Sequence, residues 1–174
     1  MKAGLTLTGV ERFFGENEII VTKTDLKGRI TYANRVFLKI AGYTEREVMG
    51  QPHSIVRHPD MPRCVFKLLW DTIQGGQEVF AYVINRAKTG DHYWVYAHVT
   101  PSFDKAGQII AYHSSRRVPD AEIVKTTIVP LYKQLLEIEQ SHGNRKQGLH
   151  ASSGAVAGLL QEQGVEYDEF VAHL

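Results

Sequence analysis

The stretch EVFAYVINRAKTGDHYWVYAHVTPSFDKAGQIIAYHSSRR, Glu78–Arg117, decides the fold. It holds three long β-rich runs, Glu78–Ala87, His92–Pro101 and Gln108–Arg117. Lys88-Thr89-Gly90-Asp91 and Asp104-Lys105-Ala106-Gly107 join them. Each connector carries an Asp that can accept from nearby backbone N–H groups and a Gly free to take positive φ, which is turn chemistry. Upstream, Asp60–Ile73 (DMPRCVFKLLWDTI) places Val65, Leu68, Leu69 and Ile73 on one helical stripe. Phe66 and Trp70, four apart, form a second stripe. Asp60 is the expected N-cap of this helix, Pro62 suits its first turn, and Gly75-Gly76 end it.

Further outward, Glu18–Thr24 (EIIVTKT) and Arg29–Ala33 (RITYA) flank the turn Asp25-Leu26-Lys27-Gly28, which predicts a hairpin. Asn34–Ala41 reads as a short helix with Asn34 as its N-cap and Gly42 as its stop. Thr44-Glu45-Arg46-Glu47 has the spacing of a capping box and opens another. The order is therefore two strands, short helices, one longer helix and three strands. Helices segregated to one face of an antiparallel sheet make an α+β domain. Residues 1–17 read as a loosely attached arm containing Phe13 and Phe14, residues 18–118 as the organised domain, and residues 119–174 as a helical tail. In the tail, a helix is expected from Pro119-Asp120 through Val129, with Pro130 kinking or restarting it. Leu131, Leu135 and Ile138 share a face, Ser141–Asn144 breaks the pattern, and Ser152–Leu160 and Tyr167–Leu174 are expected as further short helices around Gly164.

Composition narrows the function classes. The chain has 174 residues, 43% of them apolar and 22% charged, as in one globular domain with appendages. No apolar run approaches a membrane span. The first residues lack a basic start and a long apolar stretch, so a cytoplasmic location is expected. Twenty Lys and Arg against 19 Asp and Glu speak against bulk electrostatic binding of nucleic acid. One cysteine, Cys64, excludes an internal disulfide and a cysteine-rich metal site. No G-x-S-x-G, G-x-x-x-x-G-K-[ST] or H-E-x-x-H run is present, and no acid/base pair stands out, so an enzyme is not expected.

Three stretches carry a family resemblance: TDLKGRITYAN (24–34), AGYTEREVMGQPHSIVRHPDMP (41–62) and NRAKTGDHYWVYAHVTP (85–101). Together they resemble a PAS domain, and more narrowly the PAS sensor of bacterial aerotaxis (energy-taxis) receptors. The run Gly50–Pro62 is the specific part. The resemblance implies the PAS fold, a five-stranded antiparallel sheet with helices on one face, here extended by the helical tail. It implies non-covalently held FAD, a redox or oxygen signal, and a chemotaxis output. The tail's end, GVEYDEFVAHL, resembles the stand-alone PAS subunit of bipartite energy-taxis systems. The implied partner is then a separate, membrane-anchored transducer. Apolar tail positions suit that contact or a homodimer.

Arg57, His58, Arg63 and Lys67 gather positive charge at the start of the long helix, where free N–H groups also favour phosphate. Arg57 can grip phosphate oxygens bidentately, with Asp60 orienting Arg57 and His58 or capping the helix. The same three side chains also suit ion pairs that merely lock an irregular loop. Trp70 serves either as core or as a stacking partner for an adenine or isoalloxazine ring; the resemblance places it in the flavin-binding set. Asn85, if it faces inward with Val79, Ala81, Val83 and Ala87, offers a donor and an acceptor to the polar edge of a ring. The alternative is an outward Asn beside the turn. Asn34 and His53 match family positions and complete the cofactor-binding candidates. Ser114 and Ser115 are candidate relays.

Two other functions compete. Haem would need an axial ligand such as His53, His58, His92, His98 or His113. A cofactor-free interaction module is the other. A flavin–cysteine adduct is not expected, because MPRCVF around Cys64 does not match the motif of blue-light receptors.

Overall fold

In the computed structural model, which describes residues 6–174, the β-rich runs form one antiparallel sheet. Its strands are β1 (Ile20–Thr24), β2 (Ile30–Ala33), β3 (Val79–Arg86), β4 (His92–Phe103) and β5 (Ile109–Arg117). Their spatial order is β2-β1-β5-β4-β3, so the first strand lies beside the last. Alternation then sets two faces. Ile20, Thr22 and Thr24 pair with Arg116, Ser114 and Tyr112, and Val79, Ala81, Val83 and Asn85 pair with Val99, Ala97, Val95 and Tyr93. These residues line the inner face.

Four short or medium helical pieces cover that face: α1 (Arg35–Ala41), α2 (Glu45–Val48), a 3₁₀ turn at His53–Val56, and α3 (Arg63–Gln74). Asn34 caps α1 by accepting from Phe37 N, and Gly42 ends it at φ 73°. Thr44 and Glu47 form the capping box of α2. The core under these helices includes Phe37, Val48, Val56, Met61 and Val65.

The structure corrects three sequence expectations here. Residues Thr8–Arg12 of the N-terminal arm are not loose: Thr8 N donates to Gly90 O, His92 N to Val10 O, and Arg12 N to His92 O. Arg12 also holds Asp91 at 2.7 Å. Residues 1–5 of the expected arm lie outside the described residues. Asp60 does not cap the long helix, which starts three residues later at Arg63 with Pro62 in the cap position. The cap is supplied instead by the tail, where Glu139 accepts from Cys64 N at 3.0 Å.

The tail continues as α4 (Ala121–Ile123), a π turn (Val124–Ile128), α5 (Val129–Gln140), α6 (Arg145–Gln163) and α7 (Tyr167–Ala172). Asp120 caps the first piece. Pro130 has no N–H to return to the preceding turn, and the helix widens just before it. The third correction is α6, which runs 19 residues rather than the expected Ser152–Leu160. Tertiary packing overrides its weak propensity: a Cβ on Gly148 would stand 2.3 Å from the Glu139 carbonyl oxygen, so only glycine lets α5 and α6 approach. The tail packs on the outer face of β3 and β4, where Tyr132 donates to the Tyr82 carbonyl and its ring lies 6.1 Å from Trp94. No helix among the described residues is long and apolar enough to cross a membrane.

Candidate functional site

Between the sheet's inner face and α3 lies a cavity of about 430 Å³. Its walls are largely apolar, built from Phe66, Leu69, Trp70 and Ile73 of α3 and from Val83, Ala97, Val99 and Tyr112 of the sheet. Small residues on β3 and β4 keep the space open, because Ala81 and Ala97 face each other across the ladder. Trp70 stands edge-on to Tyr112, with ring centres 5.5 Å apart. It also lies against the β1–β2 turn, where Gly28 holds φ 74° and an added Cβ would come within 3.0 Å of the indole.

Of the seven side chains singled out from the sequence, Arg57, His53, Trp70 and Asn85 line the cavity. Asn85 is 3% exposed and faces inward, in phase with Val83. The backbone of Arg57 bridges to Asn85, and its guanidinium lies over Phe66, 4.4 Å from the ring centre. The other three stand outside. The Asn34 amide is spent on the backbone: its oxygen accepts from Phe37 N and Val21 N, and its nitrogen donates to Ile19 O. His58 is buried beside His92, and its Nδ1 accepts from Asp60 N. Burial lowers the His58 pKa, against a smaller upward pull from Asp60. The Asp60 carboxylate is 69% exposed and sits 3.7 Å from His58 Nδ1. Asp60 and His58 therefore brace the loop rather than the cavity.

Arg116 lines the same cavity, and the sequence reading missed it. It is 3% exposed and donates to Thr22 Oγ1 and to His53 Nε2, the latter at 2.8 Å. Its Nη1 is buried without a partner, as is the Tyr93 hydroxyl. Burial lowers its pKa to about 10, against a smaller upward pull from Tyr93. No carboxylate among the described residues pairs with it. Burial, then the Arg116 charge, drives the His53 pKa down to about 3. His53 is therefore neutral, with Nε2 as acceptor and its proton assigned to Nδ1. One signal for Arg116 was available: β5 alternation puts Tyr112, Ser114 and Arg116 in phase, and a cation among inward positions needs a reason.

These residues fit a flavin. An apolar slot takes a flat aromatic ring, and the orphaned Arg116 nitrogen and inward Asn85 offer polar contacts for its edge. Haem fits less well at the two candidate histidines that line the cavity: His53 Nε2 already accepts from a guanidinium, and His113 is out of phase with the inward Tyr112, Ser114 and Arg116. Cys64 is buried on α3 but does not line the cavity. Burial pushes its thiol up to about 11, which keeps it protonated at neutral pH.

Comparison with known proteins matches residues 30–116 to the PAS fold family. The chain is 44% identical over 121 residues to the aerotaxis receptor of Escherichia coli (strain K12), covering 69% of this chain and 23% of the receptor. It is 28% identical over 114 residues to the nitrogen fixation regulatory protein of Klebsiella pneumoniae, covering 66% of this chain and 22% of that protein. The chain thus spans less than a quarter of the length of these curated relatives. Among solved structures, the light-state LOV domain of the blue-light photoreceptor Aureochrome1 aligns with a TM-score of 0.57 at 24% identity, covering 63% of this chain and 88% of that one. A light-oxygen-voltage domain studied with a flavin analogue aligns with a TM-score of 0.58 at 18% identity, covering 66% and 87%. At these identities the structural likeness concerns the fold.

Proposed function

This chain belongs to the PAS-fold family, and from that premise we propose that it is an FAD-holding redox or oxygen sensor that signals to a chemotaxis transducer. One observation carries the proposal: an apolar, ring-sized cavity contains a buried guanidinium with an unpartnered nitrogen and, among the described residues, no carboxylate to neutralise it. Such a group is costly to bury unless a ligand completes its bonding. The identity with the aerotaxis receptor supports the same class of input and output.

A bound flavin would supply a proton-coupled redox change at its ring. Trp70, Phe66 and Leu69 would hold the ring and exclude water. Arg116 would favour extra negative charge beside it, because a fixed cation in a low-dielectric site acts strongly on neighbouring charge. Neutral His53 fixes the Arg116 side chain by accepting its Nη2–H. Asn85 can turn its amide to offer either a donor or an acceptor. A signal requires that these groups bond differently in two protein states. Two routes lead outward. On β5, Ser114 lines the cavity while Ser115, its neighbour, pairs with Val21 and His98 and belongs to the opposite face. On α3, the cavity-lining turns continue into a start that is tied to the tail through Glu139. The proposed partner is a separate membrane-anchored transducer, with the protein acting in the cytoplasm, alone or as a homodimer.

The test is the absorption spectrum of the purified protein before and after dithionite. Flavin bands that bleach, with FAD released on heating and lost in Trp70→Ala or Asn85→Ala, are expected. A Soret band would replace the flavin with haem. A colourless, folded protein that takes up no added flavin would overturn the proposal in favour of an interaction module.

A further inference from the structure

A second cleft, of about 590 Å³, lies between the Arg57–Arg63 loop and the turn joining α5 to α6. Arg57 lines both this cleft and the apolar cavity, so the two are neighbours through one side chain. Their chemistry differs. The second cleft gathers three guanidinium groups, Arg57, Arg63 and Arg145, around one carboxylate, Glu139. That carboxylate is already engaged: it accepts from Arg63 Nε, Cys64 N and Ser152 Oγ, each at 3.0 Å. Arg57 and Arg145 have no carboxylate partner among the described residues. Arg57 also senses its neighbours: burial lowers its pKa, Glu139 opposes this, and Arg63 and Arg145 lower it further. A concave site with uncompensated guanidiniums recognises phosphate, which they can grip bidentately.

We propose that this cleft takes the diphosphate–adenylate arm of the flavin dinucleotide, so that the C-terminal tail is part of the cofactor site and makes the protein select FAD over riboflavin. The proposal rests on the flavin reading above and adds to it a contribution from the tail. Continuity through Arg57 names the occupant: an anion bound here lies next to whatever fills the apolar cavity. That cavity alone is at the lower end of ligand-pocket volumes, which suits a ring better than a whole dinucleotide. Among the described residues that line the cleft, Glu139 holds the one carboxylate that would repel phosphate, and its three donors spread its charge.

Arg145 is exposed, at the first position of α6, and its side chain can be changed without opening the core. Protein stripped of flavin is titrated with FAD and with riboflavin, in the parent chain, in Arg145→Gln and in Lys146→Gln. Lys146 is the next residue, exposed, and does not line the cleft. Loss of a charge-assisted phosphate contact predicts that Arg145→Gln weakens FAD binding by about 10- to 100-fold and leaves riboflavin unchanged. Lys146→Gln should match the parent, and circular dichroism should show all three folded alike. Equal binding of FAD and riboflavin by the parent, or unaltered FAD binding by Arg145→Gln, would overturn the tail's role while leaving the flavin reading intact. Failure of the parent to bind either flavin would overturn both.

Discussion

Replacing Glu139 with alanine should detach the tail from the sensor helix. The carboxylate is 6% exposed and accepts three hydrogen bonds that tie α5 to Arg63, to the first turn of α3 and to α6. Burial pushes its pKa up, but the bonds from Cys64 N, Arg63 and Ser152 together outweigh burial and hold it below the usual carboxylate value. In Glu139→Ala the Cys64 N–H is left buried and unpaired, which costs about 1–3 kcal/mol. Arg63 is 22% exposed and recovers part of its loss by hydration. Ser152 keeps its second acceptor, Leu149 O. The sum is about 3 kcal/mol, at the low end of the range for breaking a buried charge pair from one side. Glu139→Gln keeps one oxygen for Cys64 N and Ser152 Oγ but turns an amide NH2 toward Arg63, which is left to hydration, so it should cost about 1–2 kcal/mol, less than alanine. Urea denaturation followed by circular dichroism and tryptophan fluorescence measures both. The reasoning fails if the alanine variant lies within about 1 kcal/mol of the parent, or if glutamine is as harmful as alanine.

Three other perturbations test the site. The folded-state pKa of His53 is about 3 against an ordinary 6.5, so the unfolded chain binds the proton first as pH falls. The stability that neutral His53 contributes is therefore complete above pH 6.5 and is lost between 6.5 and 3, about 2 kcal/mol of it by pH 5. His58 and His113 shift in the same direction. Urea titrations at pH 7.5 and pH 5 should show a steeper decline for the parent than for His53→Gln. Gly28→Ala puts a side chain at φ 74° and within 3.0 Å of Trp70, so it should cost about 1–2 kcal/mol and shift the tryptophan emission, read in a thermal melt. Arg116→Met removes a buried cation that has no carboxylate partner among the described residues; flavin content per chain should fall, while the melting temperature compared between flavin-free proteins stays level or rises, because apolar replacement of a buried charge is often neutral or stabilising.

The order of strands and helices was legible because it rests on local rules. β-branched runs, Asp-Gly turns and the Gly42 stop act over a few residues, and the structure keeps them. Alternation along β3 also placed Asn85 with Val83, and the spacing in α3 placed Trp70 with Phe66, all of which line one cavity. The basic loop was visible as well, although only Arg57 of its three selected residues reaches that cavity. His58, Asp60 and Asn34 are spent on bracing and capping, which depends on what lies within hydrogen-bond reach after folding.

What the chain alone determined was therefore the family, the α+β architecture and which side chains of a strand or helix share a face. Each follows from residue type and spacing. Tertiary structure alone decided that Arg116 shares a cavity with His53, 63 positions away in sequence, and that Glu139 caps a helix starting 76 positions earlier. It also decided that residues 8–12 run along the start of β4, and that the tail stands beside Arg57. These are contacts between distant segments. Sequence periodicity sets the face on which a residue lies, but the partner it meets there is fixed only when sheet register and helix packing close the fold.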